Sequence, residues 1–154
     1  MYRHILCPTD LKDRSFIALK KAVQIAHQFN ARITMLNVHA EFMDKKEMEM
    51  LRVSFTRMQE RFKETALECK EKMRETITNL HAEDIELAYL LREGKPEKEI
   101  VSAAEEVGAD LIVISTDGRD NLKDFVAGTV TEHVINHASC PVLVIPYMKM
   151  GKPV

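Results

Sequence analysis

Short apolar runs alternate with long amphipathic stretches, and this alternation is what most constrains how the chain can fold. The apolar runs have strand length and cover residues 5–7, 32–38, 85–91, 111–114 and 141–145. Each connection between them is long enough for a right-handed crossover. The pattern predicts an α/β fold, an open five-stranded parallel sheet with helices on both faces.

Helices are predicted between the strands from apolar residues that recur every three or four positions. The first follows capping side chains at 10–15 and runs to Asn30, with Ile17, Leu19, Ala22, Val23 and Ala26 on its apolar face. The third opens with Pro96 at its first position and stops at Gly108. The last covers residues 129–137.

The second helical stretch, from about 43 to 80, is predicted as one long helix or as two with a slight break. It contains no proline or glycine, and most residues between its apolar positions are charged or polar. Its apolar stripe favours core packing over a cofactor-binding face. The stripe consists of Leu51, Phe55, Met58, Phe62, Ala66, Cys69, Met73, Ile77 and Leu80.

Length, cysteine content and charge narrow the class of protein. The 154 residues show no linker or repeat, which predicts one domain over 1–148 and a short tail at 149–154. Cys7, Cys69 and Cys140 form no Cys-x-x-Cys pair, so we expect buried or half-buried thiols in a reducing cytosol. With no leader-like start and no membrane-length apolar run, the expected location is cytoplasmic, without a membrane partner. A net charge of −2 gives no general attraction to nucleic acid.

The loop after the fourth strand is the most informative segment for function. Gly118 follows the strand, nine residues intervene, and Gly128 and Thr129 then open the last helix. Glycine lets an anion approach the backbone, and the first amides of a helix lack internal partners. The arrangement therefore fits a phosphate site at the carboxyl edge of the sheet. From spacing alone, a simple helix cap at Gly128 and Thr129 fits equally well.

Taken with its flanks, this loop resembles that of the universal stress protein family. Residues 109–114 followed by Ser-Thr-Asp-Gly at 115–118 are similar to the family's fourth strand and loop entrance. Residues 137–146 resemble its closing helix and strand, and 5–10 with 15–19 its opening. Gly94-Lys95-Pro96 with Ile100 matches the start of its third helix. The resemblance covers the chain in order and implies a Rossmann-like sheet, of the adenine nucleotide alpha hydrolase type, with strand order 3-2-1-4-5.

The family's nucleotide-binding branch has a Gly-x-x-Gly loop, and the resemblance implies an ATP or AMP site here. Residues implied in phosphate binding are Gly128, Thr129 and Val130, and Gly118 would let the loop close. At the other strand ends, Asp10 would take a ribose hydroxyl, and the Val38 backbone would recognise the adenine edge. Pro8 and Thr9 are further implied nucleotide-binding residues. The sequence departs from the pattern at Ser115, which replaces the first glycine and would either crowd the sugar or donate to it.

The side chains of the loop between Ser115 and Gly128 carry no net positive charge that would attract a phosphate. Asp117, Asp120 and Asp124 oppose Arg119 and Lys123. Phosphate binding would thus depend on backbone amides, the helix dipole, Arg119 as a candidate contact, and a divalent cation such as Mg²⁺.

Other chemical motifs are weak or missing. His133 and His137 stand four apart on the last helix, but no third zinc ligand is evident nearby. The sequence lacks a P-loop, a GxGxxG fingerprint and a Gly-x-Ser-x-Gly elbow.

Three functions remain open from the sequence: a nucleotide-binding regulatory protein, a slow ATPase or phosphotransferase without an evident general base, and a dimeric interaction protein that has lost nucleotide binding. The resemblance implies a homodimer through the last strand, 142–145. An exposed apolar edge strand of this kind invites pairing with another copy.

Overall fold

The computed structural model describes residues 1–39, 55–116 and 129–147. The five strands are β1 His4–Pro8, β2 Arg32–His39, β3 Leu87–Glu93, β4 Leu111–Ser115 and β5 Val142–Ile145. The four helices are α1 Asp13–Phe29, α2 Phe55–Asn79, α3 Pro96–Val107 and α4 Thr129–His137. Strands and helices alternate along the described chain, as the hydrophobic pattern predicts.

The strands form one parallel sheet in the order β3-β2-β1-β4-β5, which confirms the expected strand order. In the sheet centre, Ile5 is level with Ile33 of β2 and with Leu111 of β4. β1 is therefore the central strand, and β3 and β5 are the two edges.

Alternate residues of each inner strand supply two separate cores, as expected for a sheet covered on both faces. On one face Ile5, Ile33 and Met35 pack with α1 and with the Met73–Ile77 turn of α2. On the other face Leu6, Leu36 and Ile112 pack with α3 and α4. Burial of each such side chain contributes about 1.5–3 kcal/mol, so the sheet stays fixed in position between its helices.

The helices differ from the sequence predictions in detail. The predicted apolar face of α1 is confirmed at four of its five residues, and only Ile17 is exposed, at 37%, with Ala18 buried beside it. The buried residues are Leu19, Ala22, Val23 and Ala26. Lys12 occupies the N-cap without a side-chain cap bond, because Asp10 and Ser15 bind each other instead. In α2 the stripe is buried at Cys69, Met73 and Ile77; the predicted portion at 43–54 lies outside the described residues.

The third strand was predicted two residues too early. Ile85 is buried, but its amide donates to the Ala82 carbonyl at 3.1 Å in the turn after α2. Its apolar side chain therefore anchors a turn, and β3 runs on to Glu93 beside His39. Within the described residues, no helix is both long and apolar enough to cross a membrane.

Candidate functional site

A crevice is expected where β1 ends between β2 and β4, because the chain turns to opposite sides of β1 there. From β1 the chain continues through α1 to β2 on one side, and β4 lies on the other. In open parallel sheets, ligands bind beyond the carboxyl ends of the strands at such a reversal. The predicted residues Pro8, Val38 and Ser115 lie in or at the ends of these three strands.

The exit of β1 is tightly turned. Pro8 is the last residue of β1, and the next amide, Thr9 N–H, donates to the Leu36 carbonyl at 2.8 Å. Leu11 follows with φ 62°, a left-handed conformation that is costly for a branched side chain. Its amide donates to Thr9 Oγ1 at 3.0 Å, and its side chain packs on the core, which together hold the turn.

The backbone of Val38 faces the crevice. In a strand, residues two apart direct their N–H and C=O groups to the same side. Leu36 directs its carbonyl to Thr9, so Val38 presents its backbone groups on the same side, beyond the last residue of β1. The Val38 side chain packs with the α3 and α4 core and fixes that position.

The backbone of Ser115 faces the same crevice from the opposite side, that of β4. Ile112 N–H donates to the Pro141 carbonyl of the β5 side, and Thr116 N–H to the Ile145 carbonyl. Even-numbered residues of β4 thus face β5, and odd-numbered ones, including Ser115, face the β1 side. Since Ile5 is level with Leu111, Ser115 lies level with Thr9, one residue past the end of β1. Two backbone segments therefore line the crevice from opposite sides.

Asp10 is held by three hydrogen bonds and an ion pair. Its Oδ1 accepts from the Lys12 amide at 3.0 Å and from the Ser15 hydroxyl, and its Oδ2 accepts from Arg14 Nε at 2.7 Å. Arg14 Nη2 forms the ion pair, also 2.7 Å from Oδ2. Burial opposes ionisation of Asp10, but these bonds and the Arg14 charge outweigh it, so the pKa of Asp10 lies below its ordinary value. The carboxylate is therefore ionised, and both of its oxygens are in contact with donors.

Asn37 is a site residue that the sequence analysis missed. It is only 4% exposed, and its Nδ2 donates to the Thr9 carbonyl at 2.8 Å, so it ties the end of β2 to the exit of β1. A polar residue between Leu36 and Val38 in an apolar run was the available signal. Its partner, 28 residues away, could be found only from the fold.

The start of α4 lies toward the same edge, because α4 ends at His137, shortly before β5 begins at Val142 on the amino edge of the sheet. Thr129 is the first helical residue, and Val130 packs half-buried against the α3 core. The buried side chains of Thr131 and Val134 anchor the first turns. First-turn amides have no partner within a helix, and they carry the positive end of its dipole. Gly118, Arg119 and Gly128 lie outside the described residues.

The paired histidines of α4 occupy a different place. The His133 and His137 rings stack with centroids 4.0 Å apart, and His137 Nδ1 bonds the His133 carbonyl at 2.8 Å. In the described parts of the chain, no group of three or more His, Cys, Asp or Glu residues could hold a metal ion.

As expected, Cys7 and Cys69 are buried and Cys140 is half-buried, all as free thiols. Burial raises the pKa of Cys7 to about 12, which makes this thiol inert.

The family model described as "Universal stress protein family" matches residues 1–146. A universal stress protein of Methanocaldococcus jannaschii, MJ0531, is 33% identical over 147 residues, covering 94% of this chain and 82% of its own. The solved structure of the protein MJ0577, whose curated sequence comes from the same organism, is 30% identical. It superposes with a TM-score of 0.75 over 97% of this chain and 99% of its own.

A third comparison concerns a universal stress protein of Archaeoglobus fulgidus, whose structure is described as a complex with dAMP. It is 26% identical with a TM-score of 0.60, covering 94% of this chain and 98% of its own. The fold is thus a Rossmann-like α/β sheet shared with these structures. The chain belongs to the universal stress protein family.

Proposed function

We propose that this protein binds an adenine nucleotide, ATP or AMP, in the crevice beyond β1 and acts as a regulatory or stress-response module. The observation that carries the proposal is the pair of crevice walls, Val38 and Ser115, whose backbone groups extend past the end of β1. A planar base needs fixed donors and acceptors at its edge, and strand backbone provides them without side-chain ordering. The dAMP complex of the Archaeoglobus fulgidus relative supports the choice of ligand class.

Within this proposal the three parts of the nucleotide meet three strand or helix ends. Val38 contacts the adenine edge, Asp10 with Pro8 and Thr9 the ribose, and the α4 amides at Thr129 and Val130 the phosphates. Gly118, Gly128 and Arg119 complete the phosphate loop, with Mg²⁺ accompanying a triphosphate. Ser115 lies level with Thr9, so its side chain is close to the sugar.

The ribose contact requires an exchange at Asp10, because donors already contact both of its carboxylate oxygens. Arg14 is the partner that gives way, since its side chain is 36% exposed and can turn into solvent. The Lys12 amide cannot move without unwinding the start of α1. Nucleotide binding therefore replaces one Arg14 hydrogen bond with a ribose hydroxyl.

Mass spectrometry of small molecules released from purified protein tests the ligand class. We expect an adenine nucleotide in wild-type protein and its loss in Gly128→Ala, which adds a methyl group beside the phosphates. Gly108→Ala is the control for substitution of a glycine at a helix end: alanine is strained at φ 66°, but its Cβ meets nothing within 4 Å, so the folded variant should keep the nucleotide. Folded protein that releases no nucleotide and takes none up would contradict the proposal.

We also propose a homodimer through β5. Its four apolar residues are half-buried, and it forms one edge of the sheet. Pro141 and Ile145 direct their carbonyls to β4, so Val142 and Val144 direct their backbone groups to the outer edge. A second copy can pair there. Val144→Pro removes an outward N–H but no bond to β4, so light scattering should find a folded monomer. A dimer that persists in this variant would place the interface elsewhere.

The proposed compartment is the cytoplasm. Three free thiols, two of them buried, agree with a reducing environment.

A further inference from the structure

Cys69 and His39 meet at the carboxyl end of β2, outside the contacts assigned to the nucleotide. Cys69 Sγ lies 3.4 Å from His39 Nε2, although the two residues are 30 positions apart. The same sulfur donates toward Asn37 Oδ1 at 3.8 Å. A sulfur, an imidazole nitrogen and an amide oxygen from two elements thus converge on one point.

Packing fixes this convergence. Cys69 is 6% exposed and belongs to the buried stripe of α2, with Met73 one turn further on. His39 is the last residue of β2, and its carbonyl accepts from the Gly94 amide at 2.8 Å. The donor atoms are therefore held by a helix and a strand of the core, and His39, which is half-buried, gives access from solvent.

The separation of the two strong donors matches that required by a tetrahedral metal ion. Zinc–sulfur bonds of about 2.3 Å and zinc–nitrogen bonds of about 2.0–2.1 Å give a sulfur–nitrogen separation of about 3.5 Å. The observed 3.4 Å is close to that value without any movement of the backbone. A thiolate with an imidazole selects Zn²⁺, Co²⁺ or Cu⁺, whereas Mg²⁺ prefers oxygen ligands. A site of this kind is thus chemically separate from an ion that accompanies a nucleotide.

We propose that Cys69 and His39 bind a zinc-class cation through Sγ and Nε2. Asn37 Oδ1, 3.8 Å from the sulfur, is the third donor, and water completes the coordination. In the described ranges, no group of three or more His, Cys, Asp or Glu residues could hold a metal ion. Binding replaces the S–H bond by a sulfur–metal bond and releases the proton to solvent, with no change of oxidation state. Burial raises the pKa of the Cys69 thiol, so metal must displace a bound proton.

The proposed cation site and the nucleotide crevice share one residue, Asn37. Asn37 gives its Oδ1 to the cation site and its Nδ2 to the Thr9 carbonyl. The cation site itself does not depend on nucleotide binding, so the two proposals fail separately.

Cobalt titration of tag-free, metal-stripped protein tests the site directly. Co²⁺ bound to a thiolate gives a sulfur-to-cobalt charge-transfer band in the near ultraviolet. We expect this band in wild-type protein and its loss in Cys69→Ser and in His39→Phe. Asn37→Ala should keep the band but weaken affinity by about tenfold, as expected for a supporting oxygen.

Two matched variants control for unspecific binding. Cys140→Ser removes another free thiol, and His81→Asn removes an exposed histidine at φ 52°, a conformation that asparagine tolerates. Both should retain the band. If the His39 variant does not fold, protection of Cys69 from iodoacetamide by Zn²⁺, read by peptide mass spectrometry in wild-type protein, decides the question. A folded protein with no thiolate band and no protection overturns the proposal, as does a band that persists in Cys69→Ser.

Discussion

The two ends of the sheet both hold an aspartate beside β1, and they hold it differently. At the amino end, Asp110 accepts from the Arg3 amide at 2.8 Å and from the His4 amide at 3.1 Å. At the carboxyl end, Asp10 accepts from one amide and from the side chains of Ser15 and Arg14. Backbone donors cannot leave while the fold persists, but side-chain donors can rotate. The first aspartate is therefore structural, and the second can exchange a partner for a ligand.

The neighbouring residues follow the same division. Near Asp110, the His4 ring bonds the Val107 carbonyl at 3.0 Å and Thr34 Oγ1 at 2.7 Å, so every ring nitrogen is used inside the chain. Near Asp10, Leu11 is left-handed and Val38 directs backbone groups past the end of β1. Backbone strain and backbone groups without a partner strand concentrate at functional sites. A hydrogen-bond network in which every polar group has a partner, as around Asp110, is typical of a structural role.

Removing the structural aspartate should give the largest effect on folding. In Asp110→Ala, the amides of Arg3 and His4 lose a charged acceptor, and hydrogen bonds to charged groups contribute about 1.5–3 kcal/mol. We expect a loss of that size in the free energy of unfolding, measured by urea denaturation, with nucleotide affinity unchanged in folded protein. Asp84→Ala, which breaks an exposed pair with His27, should stay close to wild type. A nucleotide-binding defect in folded Asp110→Ala would contradict the purely structural role of Asp110.

Removing the Asp10 carboxylate should instead lower the affinity for the nucleotide. Asp10→Ala takes away the proposed ribose acceptor, so we expect nucleotide affinity to fall about tenfold or more, equivalent to about 1.4 kcal/mol or more. Stability should change less than in Asp110→Ala, because the Asp10 side chain is 32% exposed and its ion pair with Arg14 is partly solvated. Calorimetric titration together with urea denaturation gives both quantities. Unchanged affinity would remove Asp10 from the site.

Low pH should destabilise the fold through His4, at the amino end of the sheet. Burial, together with the nearby Arg32 charge, lowers the pKa of His4 below its ordinary 6.5. The unfolded chain therefore binds the His4 proton more readily, so this residue destabilises the fold progressively as pH drops below 6.5 and down to its folded pKa. Denaturation between about pH 7.5 and about pH 5 should show a weaker pH dependence in His4→Gln than in wild type. An unchanged pH dependence in His4→Gln would contradict this assignment.

The smallest expected effect is an increase in affinity. Arg14→Ala frees Oδ2 of Asp10 for the ribose and removes a partly exposed pair that contributes at most about 1 kcal/mol. Nucleotide affinity should therefore rise, by up to about fivefold. Lys20→Ala removes an exposed positive charge elsewhere on α1 and controls for charge alone. Weaker binding in Arg14→Ala would mean that Arg14 contacts the ligand and does not compete with it.

Hydrophobic periodicity predicted the sheet and its helices because strand and helix spacing are local properties of the chain. It placed the start of β3 two residues too early, because Ile85 is buried in the turn after α2 and not in the sheet. Of the five residues predicted on the apolar face of α1, only Ile17 is exposed. The candidate site was located through strand ends and the glycine loop. Asn37, Cys69 and His39 were missed as a group, because their contacts span 28 to 32 positions. The chain around Gly118 and Gly128 lies outside the described residues, so those assignments remain predictions.

Isothermal titration calorimetry of wild-type protein with ATP and with AMP, each with magnesium, tests the central claim most directly. The account predicts saturable binding of at least one of them at one site per chain, with a dissociation constant below about 1 mM. Folded protein that shows no heat of binding for either nucleotide at millimolar concentration would contradict it.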